Sequence, residues 1–213
     1  MNFDKLTLEN ELITVKDKSF KIVRPAKLEE IFEGDPFLEV EKFPLWFKVW
    51  EASLVLADYV AGLTSPKKIL ELGAGLGVVS LVAAGFGHEV LATDYDKQPL
   101  KFLELSAKEN GLSLKTQVLD WTSPNLQGKF ELIVGAEIVF RKSLFDPLLE
   151  IFKNFLTDQG EVLLAHSGDR KRVLVPFLYK AQEHFEVLTS IRKIKGEDGT
   201  QEIILNKLLF KKN

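Results

Sequence analysis

The 213-residue sequence lacks cysteine, which excludes disulfide bonds, thiolate nucleophiles and cysteine-ligated zinc. Histidine is scarce, and His88, His166 and His184 follow no metal-ligand spacing, so a histidine-based metal site is not expected. The sequence also lacks the G-x-S-x-G motif of serine hydrolases and the G-x-x-x-x-G-K-[ST] motif of P-loop nucleotide-binding proteins. These absences exclude several common classes of enzyme.

An excess of positive charge is missing as well. The chain has 28 basic and 31 acidic residues and a formal net charge of −3, so no global field favours nucleic acid. The longest nearly apolar run, residues 76–87, is shorter than the roughly 20 residues that span a bilayer. The first five residues, Met-Asn-Phe-Asp-Lys, do not open a signal peptide. We therefore expect a cytoplasmic protein that binds neither nucleic acid nor membranes.

Composition and length predict one main domain with a short extension. Hydrophobic residues make up 46% of the chain and charged residues 28%, as in ordinary globular proteins. Residues 1–40 form the predicted extension: strand-like runs at 12–15 and 20–23 flank a polar turn and indicate a β-hairpin, and a short helix is expected over 26–33. The main domain is predicted over residues 41–213.

Strand-like and helix-like segments alternate through the main domain, which predicts an α/β fold with a mostly parallel sheet and helices on both faces. Two extended runs close the chain and predict a hairpin. The expected architecture is a Rossmann-like seven-stranded sheet whose last strand is antiparallel. The predicted strands are 68–72, 89–93, 114–119, 130–136, 161–165, 185–194 and 202–210; the predicted helices are 45–61, 77–85, 98–110, 143–155 and 172–183.

A glycine-rich turn follows the first of these strands, with Gly73, Gly75 and Gly77 spaced as G-x-G-x-G. Glycine allows positive φ and lets a ligand approach the backbone closely. The dinucleotide fingerprint G-x-G-x-x-G would place glycine at position 78, where this chain has Val78. The turn is therefore less suited to bind a pyrophosphate. The alternative is that these glycines serve only helix–strand packing.

Two carboxylates lie near this turn. Glu71, two residues before Gly73, would repel a diphosphate and favour a cationic ligand such as S-adenosylmethionine. Asp94 ends the second strand about 20 residues later, where a carboxylate can accept both ribose hydroxyls. NAD and S-adenosylmethionine both contain ribose, so only Glu71 separates them. The alternatives are a solvated strand end for Glu71 and a helix cap or turn for Asp94.

With these motifs the sequence resembles the seven-strand S-adenosylmethionine-dependent methyltransferases, and more narrowly the family-16 protein-lysine methyltransferases. The resemblance spans about residues 45–210. Four stretches carry it: Val49-Trp50-Glu51-Ala52, Glu71-Leu72-Gly73-Ala74-Gly75-Leu76-Gly77, Leu119-Asp120-Trp121, and residues 130–140 with the sequence FELIVGAEIVF.

The resemblance implies a site for S-adenosylmethionine, with S-adenosylhomocysteine as product. Trp50 would help to enclose the cofactor, and Asp94 would bind its ribose. Trp121 would lie beside the adenine, and Ala136 would line the pocket. The turn residues Glu71, Gly73, Ala74 and Gly75 complete the implied cofactor-binding set. The alternatives are a core tryptophan at Trp50 and a loop anchor at Trp121.

The chain departs from the resembled family after the fourth strand of the predicted parallel sheet. The family pattern there is Asp-x-x-Tyr, and this chain has Glu137 and Phe140. Glu137 could orient the acceptor amine. Phe140 could form one wall of the slot for that amine, although it has no hydroxyl group. We take these two as candidate catalytic residues, with helix capping and core packing as their alternatives. His166 and Arg24 are weaker candidates for contacts with substrate and cofactor.

The resemblance implies methylation of lysine side chains in a protein substrate. Two alternatives stay open: methylation of a small-molecule amine, and a binding module of the same fold that lacks catalysis. A NAD-dependent redox enzyme is disfavoured by Glu71 and Val78. We expect a monomer or a weak homo-oligomer.

Overall fold

The computed structural model describes residues 6–35, 38–39, 42–196 and 199–212. Nine strands and five α-helices follow one another along this part of the chain. The strands are β1 (Leu8–Val15), β2 (Lys18–Pro25), β3 (Lys68–Leu72), β4 (Glu89–Asp94), β5 (Lys115–Val118), β6 (Phe130–Ala136), β7 (Leu156–Ser167), β8 (Phe185–Gly196) and β9 (Gly199–Phe210). The helices are α1 (Glu51–Ala61), α2 (Val78–Gly85), α3 (Lys97–Glu109), α4 (Phe145–Phe155) and α5 (Lys171–Ala181).

Seven strands form one sheet in the order β5-β4-β3-β6-β7-β9-β8. The five strands from β5 to β7 are parallel, and β9 is antiparallel to both of its neighbours. The predicted fold class is therefore confirmed. The chain leaves β3 towards β4 on one side and later returns to pair β6 on the other. Ligands of open α/β sheets bind outside the carboxyl ends of the strands at such a switch point.

The sheet separates two apolar clusters. Alternate residues of one strand face opposite sides, so Ile69 belongs to the first cluster and Leu70 to the second. Helices α1, α2 and α3 cover the first side, and α4 and α5 cover the second. The expectation of helices on both faces is thus confirmed.

The N-terminal hairpin is part of the first cluster. Its side chains Ile13, Val15, Phe20 and Ile22 are buried there. Backbone groups bind helix α3 as well: the Val23 N–H donates to Ser106 Oγ at 2.8 Å. The hairpin therefore packs outside helices α1, α2 and α3, on the first side of the sheet. The predicted division between residues 40 and 41 falls on residues outside those described and stays a prediction.

The segment before α1 differs from the predicted helix over 45–61. Residues Leu45–Phe47 form one 3₁₀ turn, and α1 begins at Glu51. Lys48 and Trp50 have extended backbones between the two. The Trp50 indole N–H donates to the Leu45 carbonyl at 2.9 Å, which satisfies that carbonyl without a continuous helix.

Other elements also differ from their predicted bounds. The helix expected over 26–33 is a single 3₁₀ turn, Leu28–Glu30, and the Glu30 carboxylate binds the backbone and hydroxyl of Thr7 at 2.7 Å each. Strand β7 begins at Leu156, before the predicted start at 161. The predicted last turn, 196–199, includes two residues outside the described ranges. Within the described residues, no helix is long and apolar enough to cross a membrane.

Candidate active site

The three glycines of the β3–α2 turn have positive φ angles of 64°, 54° and 74° at Gly73, Gly75 and Gly77. L-residues with a side chain rarely adopt this conformation, so the backbone of the turn depends on glycine. The turn lies at the carboxyl end of β3, next to the ends of β4 and β6. This is the switch point of the sheet.

The same glycines also leave room for neighbouring side chains. A Cβ on Gly77 would lie 2.4 Å from Leu103, so this glycine serves helix packing. A Cβ on Gly73 would lie 3.0 Å from Ile138 and 3.5 Å from the ring of Trp121. The alternative that a glycine serves only helix–strand packing therefore holds for Gly77, whereas Gly73 faces Ile138 and the ring of Trp121.

The sequence predicted a charged Glu71 carboxylate that faces the ligand, but the structure buries this carboxyl group. The residue is 2% exposed, and its Oε2 accepts hydrogen bonds from the Ser80 backbone N–H at 2.9 Å and from the Ser80 hydroxyl. Burial raises the pKa of the Glu71 carboxyl to about 8 against the opposing effect of these bonds. The carboxyl is then largely neutral near pH 7, and its charge cannot exclude a pyrophosphate. A role in cofactor binding stays a prediction.

Asp94 lies at the end of β4 and ties the glycine turn to this strand. Its Oδ2 accepts the Gly75 N–H at 2.8 Å, and its Oδ1 accepts the Asp96 N–H at 2.9 Å. Burial raises the pKa of the Asp94 carboxyl, although the backbone donors oppose that effect. The neighbouring Ala74 N–H donates to the Thr93 carbonyl at 2.8 Å, which fixes the turn further.

The helix cap is Asp96 rather than Asp94. Asp96 Oδ1 accepts the Gln98 N–H at 2.8 Å at the start of α3. Its Oδ2 accepts the indole N–H of Trp46 at 3.2 Å. The cap therefore anchors an aromatic residue beside the glycine turn.

Trp46 is the aromatic residue that the sequence reasoning missed. Its Cβ lies 3.4 Å from the position that a Cβ on Gly75 would take, and its ring centroid is 5.6 Å from that of Phe102. Trp50, the predicted residue, is half-buried and lies outside both apolar clusters, with Lys48 Nζ 5.3 Å from its ring centroid. The core alternative for Trp50 is therefore wrong.

Trp121 and Phe140 form the opposite aromatic wall, with ring centroids 6.5 Å apart. Both are half-buried. The buried indole nitrogen of Trp121 has no hydrogen-bond partner among the described residues. Ala136, also half-buried, ends β6 and pairs with Ala165 of β7. The site thus has an aromatic slot with one unsatisfied donor.

Glu137 has a positive φ of 58°, which is uncommon for a residue with a side chain. Its Oε1 accepts the Ser167 N–H at 2.6 Å, and its Oε2 accepts Arg170 Nε at 3.2 Å. These contacts hold the residue against the carboxyl end of β7. The carboxylate therefore does not cap the following helix, and it fixes the turn that carries Phe140.

His166 secures this turn from inside the core. The residue is fully buried, and its Nε2 accepts the Val139 N–H at 3.0 Å. Burial, with a smaller effect of Arg170, lowers the pKa of His166 to about 3. The ring is therefore neutral near pH 7 and holds the backbone of Val139. Because it is fully buried, the structure does not place it where a substrate could contact it.

Arg24, considered for a contact with the cofactor, is engaged in the hairpin. Its guanidinium forms ion pairs with Glu9 at 3.3 Å and Glu11 at 2.7 Å. The guanidinium carbon also lies 4.8 Å from the ring centroid of Phe47. This residue therefore connects the hairpin to the turn that carries Trp46.

Two surface cavities lie away from the site. One of about 370 Å³ is lined by Lys67, Glu131 and residues 157–159; the other, of about 500 Å³, lies along the edge formed by β4 and β5. Both open at the amino ends of the parallel strands, where Lys68 and Glu89 begin β3 and β4. Within the described residues, no cluster of acidic and histidine side chains could hold a metal ion.

Comparison with known proteins identifies the family and the relatives to which this chain is similar. A family model described as lysine methyltransferase matches residues 45–185. The protein N-lysine methyltransferase METTL21A of Xenopus tropicalis is 32% identical over 148 residues, covering 65% of this chain and 68% of that protein. METTL21A of Danio rerio is 36% identical, covering 55% of this chain and 58% of that protein. The chain therefore spans between about half and two thirds of these relatives.

A solved structure supports the fold independently. The TehB-like SAM-dependent methyltransferase from Corynebacterium glutamicum superimposes with a TM-score of 0.59 and 21% identity. The match covers 77% of this chain and 89% of that chain. At this identity the likeness concerns the fold alone.

Proposed function

This chain belongs to the lysine methyltransferase family and its methyl donor is S-adenosylmethionine, and we propose that its acceptor is the side-chain amine of a lysine in a protein. The match of the family model over residues 45–185, which include every residue of the site described above, carries the proposal. The METTL21A relatives, named as protein N-lysine methyltransferases, support the choice of acceptor.

The glycine turn suits the methionine portion of the cofactor. Gly73 and Gly75 have no side chain at the switch point, so a ligand can approach their backbone closely. A side chain at either position would also meet Trp121 or Trp46. We assign this turn and the intervening Ala74 to the methionine portion.

Asp94 and Trp121 suit the nucleoside. The Asp94 carboxylate accepts one backbone N–H at each oxygen, and each oxygen has a lone pair left for a ribose hydroxyl. The buried indole N–H of Trp121 lacks a partner among the described residues and can donate to a polar atom of the cofactor. We assign the ribose to Asp94 and the adenine side of the slot to Trp121.

The bound cofactor supplies a methyl group on a positively charged sulfur, which is open to in-line attack by an amine. The protein must align a neutral amine with that methyl group. Phe140 and Trp121 offer an apolar wall, and desolvation beside such a wall lowers the pKa of a lysine ammonium. Glu137 is already bound by Ser167 and Arg170, so we assign it first to positioning this wall and then to orienting the amine.

Incubation with radiolabelled S-adenosylmethionine and a cell lysate tests this function. Label in protein that survives acid hydrolysis as methyl-lysine is the expected result. Label in low-mass material would instead indicate a small-molecule acceptor. An absence of any label, with cofactor binding intact by calorimetry, would indicate a binding module without catalysis.

A further inference from the structure

Five basic residues follow the carboxyl ends of β6 and β7, and we call them the basic rim: Arg141, Lys142, Arg170, Lys171 and Arg172. They come from two segments, residues 137–142 and 167–172, which together hold five basic and two acidic residues in twelve positions. The complete chain, by contrast, has a net charge of −3. The positive charge is therefore local.

The structure brings the two segments together. The Ser167 N–H donates to Glu137 at 2.6 Å, and Arg170 Nε donates to the same carboxylate at 3.2 Å. The Val139 N–H donates to His166 at 3.0 Å, between these two contacts. The two segments of the basic rim therefore lie side by side at the carboxyl ends of β6 and β7.

The rim adjoins the aromatic wall. Arg141 extends over Phe140, with its guanidinium carbon 5.8 Å from the ring centroid. Lys171 is paired with Glu202 at 3.3 Å, and Arg170 with Glu137. Lys142 and Arg172 are exposed and form no ion pair within the described part of the chain. These two cations of the rim therefore face solvent without an ion pair among the described residues, and the exposed Asp169 lies three residues before Arg172.

A lysine side chain that approaches this edge carries a positive charge at neutral pH and is repelled by it. Acidic residues beside the lysine reverse the sign of the interaction, since opposite charges steer association and like charges disfavour it. From the proposed function and this rim, we infer that the substrate is a lysine flanked by acidic residues on a protein. A nucleic acid is the competing polyanion, and the net charge of the chain disfavours it.

Fluorescence anisotropy with two peptides tests the inference directly. Both carry fluorescein and one central lysine, flanked by glutamates in one peptide and by glutamines in the other. The glutamate peptide is expected to bind at least about tenfold more tightly at about 50 mM salt and to lose that advantage at about 500 mM. Equal affinity for the two peptides at low salt would overturn the inference.

Paired variants locate the effect. Lys142→Glu with Arg172→Glu should weaken binding of the glutamate peptide by about tenfold or more. Lys108→Glu with Lys212→Glu makes the same charge change away from the rim, in the last turn of α3 and after β9, and should leave it within about twofold. Equal losses in both pairs would assign the preference to net charge alone. If the first pair does not fold, Lys142→Gln with Arg172→Gln is compared with Lys108→Gln and Lys212→Gln, with half the charge change in each pair.

Two further measurements separate this inference from its premise. An RNA oligonucleotide of equal charge that binds more tightly than the glutamate peptide would also overturn the inference. S-adenosylmethionine affinity by calorimetry should stay within about twofold in both variant pairs, because the rim lies outside the cofactor residues. Peptide preference without any methyl transfer to protein would refute the proposed function and leave the charge preference standing.

Discussion

Replacing Glu71 by glutamine should remove a pH-dependent loss of stability. In the folded protein burial raises the pKa of Glu71 to about 8 from an ordinary value of 4.5. Between these values the folded state keeps a proton that the unfolded chain releases. The stabilisation is complete below the ordinary value and is lost as pH rises through the folded value.

The magnitude follows from this difference. Each pH unit in that interval lowers the free energy of unfolding by about 1.4 kcal/mol. From about pH 5 to pH 8 the wild type should lose up to about 4 kcal/mol through this group. Glutamine at position 71 can accept the same hydrogen bond from the Ser80 N–H and does not ionise.

Urea denaturation of wild type and Glu71→Gln at several pH values measures the effect. All other titrating groups are shared, so the difference between the two stabilities isolates Glu71. That difference should shift in favour of the variant by up to about 4 kcal/mol across the interval. The exposed Glu109→Gln change controls for replacing any carboxyl group. A difference that stays within about 1 kcal/mol would refute the proposed burial of a neutral carboxyl.

Three other changes test the site. Gly77→Ala combines a positive φ with a Cβ 2.4 Å from Leu103, so it should destabilise by about 2–4 kcal/mol in thermal unfolding, whereas Gly87→Ala, which has positive φ but open space, should cost only about 1 kcal/mol. Similar losses at both would contradict the packing argument. Asp94→Ala should weaken S-adenosylmethionine binding by about tenfold or more in calorimetry, since it removes the ribose acceptor and the Gly75 contact; unchanged affinity would refute the ribose assignment. Glu137→Ala should lower turnover with labelled cofactor by about tenfold while cofactor affinity changes less than about threefold; equal effects on both would assign Glu137 to cofactor binding.

The sequence predicted the fold well because the relevant signals are local. The central strands β3, β4 and β6 are short runs rich in apolar residues, and Gly73, Gly75 and Gly77 mark a turn in which all three glycines have positive φ. The order of the strands, β5-β4-β3-β6-β7-β9-β8, was not predicted from the sequence. The bounds of the first main-domain helix were wrong because the Trp50–Leu45 hydrogen bond replaces a helical turn, and helical spacing of apolar residues does not reveal it.

Tertiary contacts decided the rest of the site. The sequence placed Glu71 at a strand end but could not tell that its carboxyl turns towards Ser80, nine residues later. It likewise missed Trp46, which lies against Gly75 and whose indole is held there by Asp96, fifty residues away. One available signal was the presence of a second tryptophan in the segment that leads to α1.

The position of β9 between β7 and β8 has a consequence for biosynthesis. Among the described residues, β8 pairs with β9 alone, and β7 pairs with β9 on its outer side. A nascent chain that has emerged only as far as β8 therefore leaves the outer edge of β7 open to the surrounding medium and β8 without a partner strand. This sheet is completed only when residues 199–210 pair with both β7 and β8, so it cannot form fully before β9 is made.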